Sequence, residues 1–129
     1  MQIALIAQDD KKELMAQLCI AYCGILAKHS LCSTATTGNF IKDATGLEIE
    51  MFLPGAGGGT EQIASRIAYD EIDLLLYFRD ATDEFDSEDA NLIQLCDTYN
   101  IPLATNLATA EALILALDRG DLDWRKNLK

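Results

Sequence analysis

Lys12, Thr34, Thr36, Thr37, Gly38 and Gly55 are the residues whose types and spacing best suit chemistry, and that chemistry is the holding of an anion. The run Thr34-Ala35-Thr36-Thr37-Gly38 follows a short apolar stretch and opens a helical pattern. Hydroxyls and free amide N–H groups at a helix N-terminus form a cradle suited to phosphate oxygens. Leu53-Pro54-Gly55-Ala56-Gly57-Gly58-Gly59 is the one strongly glycine-rich segment, and glycine lets backbone approach a ligand closely. Lys12, one turn into the first helical pattern, can add a point charge. A plainer reading stands beside this one, since threonines ahead of a helix also serve as caps and turns. The glycine segment is no Walker loop: it lacks the closing Lys-Ser/Thr, and a G-x-G-x-x-G fingerprint belongs after the first strand.

The acidic stretch holding Asp80, Asp83, Glu84, Asp86, Glu88 and Asp89 raises the question of a cation. It lacks the glycine and ligand spacing of an EF-hand loop. A solvated loop entering a helix, with acids near the positive end of the dipole, accounts for it more simply. Cys19, Cys23, Cys32 and Cys96 contain no C-x-x-C pair, and His29 is the single histidine. A structural zinc site is therefore unsupported, and the expectation is no metal and buried, reduced thiols in a cytoplasmic protein.

Ten basic and 21 acidic residues give a formal charge of −11. A field of that sign repels nucleic acid, and no basic stripe offsets it. It also repels a phosphorylated metabolite, so a phosphate site must rely on local donors. Apolar runs such as residues 72–78 are too short to cross a bilayer. Met1-Gln2-Ile3-Ala4 lacks the basic start of a signal peptide. The expected partner is a small phosphorylated ligand, with neither nucleic acid nor membrane.

Positioning these groups falls to an alternation of apolar runs and helical patterns. Residues 2–7 form a continuous apolar run of strand length, as a strand covered on both faces requires. Residues 11–28 repeat apolar side chains at helical spacing, through Leu14, Leu18, Tyr22, Ile25 and Leu26. Residues 31–35 read as a second strand, 36–39 as a turn, and 40–45 as a short helix stopped by Gly46. In residues 47–52, Leu47, Ile49 and Met51 alternate with Glu48 and Glu50, the pattern of a strand near a sheet edge. Residues 60–70 read as a helix with Thr60 as N-cap, 72–78 as a buried strand and 79–89 as an acidic connection. Residues 90–100 follow as a helix, 101–105 as a fifth strand, and 109–119 as a last helix closed by Gly120. No repeat or linker divides the chain, so residues 1–129 are expected to form one domain.

Five strands alternating with helices imply an α/β fold with a parallel sheet and right-handed crossovers, a three-layer Rossmann-like domain. Ligands in such sheets bind beyond the carboxyl ends of the strands. The segments to watch are therefore 8–12, 34–39, 53–61, 79–89 and 106–109.

The segments Ile3-Ala4-Leu5-Ile6-Ala7-Gln8-Asp9, Thr34-Ala35-Thr36-Thr37-Gly38-Asn39, Arg79-Asp80 and Ile101-Pro102-Leu103-Ala104-Thr105-Asn106 resemble the methylglyoxal synthases, in that family's order and near its spacing. The likeness runs almost end to end, through Leu117-Asp118-Arg119-Gly120-Asp121-Leu122-Asp123-Trp124-Arg125. It implies a protein acting on dihydroxyacetone phosphate without metal or organic cofactor, as a homo-oligomer, usually a hexamer. By resemblance Lys12, Thr34, Thr36, Thr37 and Gly55 fall on phosphate-holding positions, and Asp9 and Asp80 on acidic positions beside the active site.

The same resemblance sets three departures. Where the family pattern G-P-x-G-G-D-Q-Q carries its aspartate base, this chain reads Gly55-Ala56-Gly57-Gly58-Gly59-Thr60-Glu61-Gln62, with Thr60 at the base position. Where the family has R-D-P-x-x-x-x-P-H, Ser87 stands at the histidine and both prolines are gone. Gln8 replaces a further histidine after the first strand. A threonine hydroxyl is no general base near neutral pH, and such a base contributes about 10²–10⁴-fold. The expected function is thus a phosphate-binding member of the family. The alternative is an active synthase using a relocated carboxylate, with Glu61, Asp80 and Asp9 as candidates.

Overall fold

The computed structural model describes residues 1–128. The most apolar run takes the centre of the sheet: β1 (Gln2–Ala7) is buried at every position after Gln2. It pairs in parallel with β2 (Ser30–Ser33) on one side and β4 (Leu74–Phe78) on the other. β3 (Glu50–Met51) and β5 (Leu103–Ala104) close the order β3-β2-β1-β4-β5, all parallel. The run with alternating glutamates is an edge strand, as its one wet face requires.

Helices cover both faces. Side chains of alternate parity in β4 point to opposite sides, as strand geometry dictates. Leu74, Leu76 and Phe78 join Met15, Leu18, Ile41 and Ile114 in one half of the core, under α1 (Lys12–Ala21), α3 (Ala35–Thr45) and α6 (Leu107–Asp118). Leu75 and Tyr77 face the other half, with Ile63, Ile67, Leu92 and Cys96 from α4 (Gly59–Ala68) and α5 (Ser87–Tyr99). The result is a three-layer α/β/α arrangement. A short α2 (Cys23–Leu26) follows α1 after a break at Tyr22, so the helical pattern of residues 11–28 is two helices. No helix among the described residues is long and apolar enough to cross a membrane. All four thiols are free. Burial pushes Cys19 up to about 12 and Cys32 and Cys96 up to about 11, which keeps these three protonated.

Several element starts differ from expectation, each for a tertiary reason. Residues 36–39 are no turn, because α3 begins at Ala35. Thr37 and Gly38 are poor helix formers, yet both are buried, and packing overrides their propensity. α5 begins at Ser87, three residues early, on a reciprocal capping box between Asp86 and Asp89. That box is built from two aspartates rather than the Ser/Thr and Glu/Gln that mark one in sequence. α6 likewise begins early, at Leu107, because the Asn106 side chain accepts from the Thr109 N–H. Thr60 is not an N-cap. Gly58, at φ 106°, takes that place, and Thr60 is the second residue of α4.

The glycine loop owes its shape to one close approach. A Cβ on Gly59 would lie 1.8 Å from the Leu53 carbonyl oxygen, whereas one on Gly57 meets only Pro54 Cδ at 3.8 Å. Gly59→Ala is expected to cost about 2 kcal/mol, within the range for forced overpacking, and Gly57→Ala less than about 0.5 kcal/mol. Urea unfolding of the two variants checks this; equal midpoints would show that the loop has room it is not supposed to have.

Candidate functional site

The carboxyl ends of β1, β2 and β4 surround a pocket of about 480 Å³, lined by Ala7, Thr34 and Tyr77 at those ends. The remaining walls come from the 3₁₀ turn Asp9–Lys11, the first turn of α1, the first turn of α3 and the glycine loop. This volume lies in the range of small-molecule sites.

Lys12 reaches the pocket from the first turn of α1 while only 8% exposed. Its Nζ donates to the Ala7 carbonyl and to Asp9 Oδ1, both at 2.8 Å. The ammonium is thus fixed at the end of β1 by one neutral acceptor and one anionic acceptor. Asp9 lines the pocket too, but its side chain is 96% exposed. The hydrogen bond from Lys12, and then its charge, hold the Asp9 carboxyl below the usual range.

The start of α3 faces the same space. Thr34 is extended and Thr36 lies in the first helical turn, and both line the pocket. The Ala35 N–H donates to the Leu53 carbonyl at 3.3 Å and the Gly38 N–H to Thr34 at 2.8 Å. The Thr36 and Thr37 N–H groups have no acceptor among the described residues, the usual state of the second and third amides of a helix. Thr37 sits behind this surface. Its buried hydroxyl accepts from the Ala7 N–H at 3.2 Å and from Thr34 Oγ1 at 3.3 Å, and donates to the Ala7 carbonyl at 3.3 Å. Its donor and both acceptors are thereby used, so Thr37 ties α3 to β1 and orients Thr34. Gly38 is also behind the wall: a Cβ there would meet Met51 Cγ at 3.0 Å. Gly55 lines the pocket beside Thr60, whose Oγ1 lies 3.3 Å from where a Gly55 Cβ would be.

Of the expected site residues, then, Lys12, Thr34, Thr36, Gly55 and Asp9 converge on one cavity. Thr60, 9% exposed, and Gln8 converge on it as well. Glu61 does not. It lines a shallow groove with Asn91 and Leu95, between α4 and α5. Ser87 is exposed at the first residue of α5 and contributes nothing to the lining. Asp80 lies outside the lining and accepts from the Thr82 N–H at 2.9 Å and the Thr82 hydroxyl at 2.8 Å. Those two bonds, with a third to Asp10, lower the Asp80 carboxyl, while the bond to Asp80 and then its charge raise that of Asp10. His29 stands at the opposite, amino end of the sheet, 3.1 Å from the Met1 amine.

Three further residues complete the lining, none of them among the expected phosphate-holding or catalytic residues. Asp10, Asp83 and Tyr77 line the pocket, and Tyr77 donates to Asp89 Oδ1 at 2.7 Å. Asp89 is 3% exposed and its Oδ2 accepts from Arg79 Nη2 at 3.0 Å. A tyrosine closing the aliphatic run Leu74-Leu75-Leu76 was the available signal: a phenol at a strand's carboxyl end, buried on one side, needs a partner for its O–H. Gln8 bridges to this group. Its Oε1 accepts from the Asp80 N–H, which turns Nε2 toward the Tyr77 oxygen 3.5 Å away. The cavity therefore gathers the Lys12 ammonium, the Thr36 and Thr60 hydroxyls, the Thr34 oxygen whose proton goes to Thr37, the Gln8 carboxamide and the Tyr77 phenol.

Comparison with known proteins gives one consistent result. The family model of the MGS-like domain matches residues 17–105. A methylglyoxal synthase from Caldicellulosiruptor saccharolyticus is 59% identical over 128 residues, spanning 98% of this chain and 91% of that protein. One from Thermoanaerobacterium thermosaccharolyticum is 46% identical over 131 residues, spanning 100% and 98%. The crystal structure of a methylglyoxal synthase from Elizabethkingia anophelis NUHP1 matches with a TM-score of 0.81 at 36% identity, over 88% of this chain and 76% of that one.

Proposed function

The chain belongs to the methylglyoxal synthase family, and from that premise we propose that its pocket holds phosphate or a phosphorylated three-carbon metabolite such as dihydroxyacetone phosphate, with the proton-transfer part of the synthase reaction curtailed. The observation that carries the reading is the near-buried Lys12 ammonium sharing one cavity with Gly55, Thr34 and Thr36, whose own N–H at the start of α3 has no acceptor among the described residues. Charge-assisted donors and free helix amides are the pairing that phosphate oxygens favour. The donors are local, which matters for a chain carrying a formal charge of −11.

Conversion of dihydroxyacetone phosphate needs a base to take the proton beside the carbonyl, and a donor to steady the resulting enediolate. The position that resemblance assigns to the base is Thr60, which faces the pocket with a hydroxyl. Of the three candidate carboxylates, Glu61 and Asp80 do not line the cavity, for Glu61 turns to the groove beside α5 and Asp80 is held by Thr82. Asp9 does line it but is paired with Lys12. Gln8 is a neutral amide in place of an imidazole, able to donate but not to relay a proton. This combination supports binding with slow chemistry. A homo-oligomer belongs to the same reading, and exposed Ile20 and Phe40, beside a groove between α1 and α3, offer it an apolar face.

Isothermal titration of the purified chain with inorganic phosphate and with triose phosphates tests the proposal. Saturable binding of both is expected; absence of heat at millimolar ligand would end it.

A further inference from the structure

We infer that Tyr77 reads a hydroxyl group on the bound phosphoester, so that the pocket selects hydroxyl-bearing phosphoesters over their deoxy counterparts. The inference rests on the proposed phosphate site and concerns the opposite end of the same ligand.

The argument is one of proton direction. A phenol has one proton to give and lone pairs to receive with. The proton of Tyr77 is committed to Asp89 Oδ1 at 2.7 Å, a short, charge-assisted bond. Asp89 is held in place to receive it. It is 3% exposed, accepts from Arg79 Nη2 at 3.0 Å, and forms the capping box of α5 with Asp86. Arg79 is itself steadied over the Phe85 ring at 5.1 Å. Burial, and then the bond to Asp89, push the Tyr77 hydroxyl far above its ordinary value, so the proton remains on that line at any working pH. What Tyr77 offers the pocket is therefore an acceptor oxygen.

That oxygen is under-used. Its only other partner among the described residues is Gln8 Nε2 at 3.5 Å, the outer limit of a hydrogen bond. A ligand O–H fits it; a ligand methyl leaves it unpaired in a half-buried wall, and a ligand carbonyl sets oxygen against oxygen. Since Tyr77 lines the same cavity of about 480 Å³ as Lys12 and Thr36, a three-carbon chain anchored by its phosphate can present its hydroxyls there. Asp89 and Arg79 act through Tyr77 and are positioning residues.

The test compares glycerol 3-phosphate with n-propyl phosphate, the same chain without hydroxyls, by isothermal titration of the full chain. Inorganic phosphate, which needs only the cradle, is titrated first. The wild-type chain should bind the glycerol ester about 10–100-fold more tightly than the propyl ester, the worth of one to two kcal-scale hydrogen bonds. Tyr77→Phe should reduce that ratio to near one, with the loss falling on the glycerol ester alone. If inorganic phosphate itself fails to bind, the phosphate reading and this inference fall together. If phosphate binds and the two esters bind the wild-type chain equally, or Tyr77→Phe keeps the ratio, this inference alone is overturned. Should Tyr77→Phe not fold, the wild-type ratio decides.

Discussion

Replacing Thr60 with aspartate raises the rate of methylglyoxal release from dihydroxyacetone phosphate by about 10²–10⁴-fold, the usual contribution of a general base. Thr60 is 9% exposed, lines the pocket and is the second residue of α4. A carboxylate at that point of a helix is favoured by the dipole, so the fold should accept it at little cost. Gly55, free of a Cβ, leaves space beside the new side chain. Lys12, Thr34, Thr36 and Gln8 are already in the same cavity, so the substitution adds a carboxylate at the family's base position in the site proposed to hold the phosphoester. Thr60→Asn is the control, matched in shape to aspartate but without its basicity. A coupled assay for methylglyoxal reads the outcome. If Thr60→Asp turns over no faster than Thr60→Asn while both bind phosphate, loss of the base is not what limits this protein.

Lys12→Met weakens binding of inorganic phosphate about 10–150-fold, as loss of a hydrogen bond to a charged group of some 1.5–3 kcal/mol implies. Methionine keeps an unbranched apolar side chain at this nearly buried position and removes the ammonium. The fold should tolerate the change: the Ala7 carbonyl keeps its bond from the Thr37 hydroxyl. Asp9, left without its partner, is exposed and stays hydrated. Lys12 carries this effect because the rest of the chain works against an anion, with 21 acidic against ten basic residues. Unchanged affinity in Lys12→Met, measured by calorimetry, would place the phosphate elsewhere.

The sequence was most legible where one constraint acts alone. Residues 2–7 were read to the residue as a strand, because a chain buried on both faces needs an unbroken apolar run and little else does. The edge position of β3 followed from glutamates on one side of its alternation. The helix starts were less legible, because each is decided by partners remote in sequence or by an unusual cap. Thr37 and Gly38 enter a helix against their propensities because they pack on β1 and Met51. The Asp86–Asp89 box looks in sequence like part of a solvated acidic loop. At the site, Lys12, Thr34, Thr36 and Gly55 could be found because hydroxyls, an amine and a glycine at the carboxyl ends of strands have a common use. The division between Thr36, which lines the pocket, and Thr37, which braces it, is set by side-chain direction in the first turn of α3. The Tyr77–Asp89–Arg79 group joins β4 to α5 across an eight-residue connection, and no spacing rule brings those residues together before the fold does.

The central claim is that this pocket still grips a phosphoester while its means of moving the proton has gone. Phosphorus-31 NMR of dihydroxyacetone phosphate mixed with the wild-type chain measures both halves at once. The predicted result is a monoester resonance shifted or broadened by the protein, with inorganic phosphate accumulating no faster than in a protein-free sample. A monoester signal untouched by the protein, or a rapid rise of inorganic phosphate, would contradict the account.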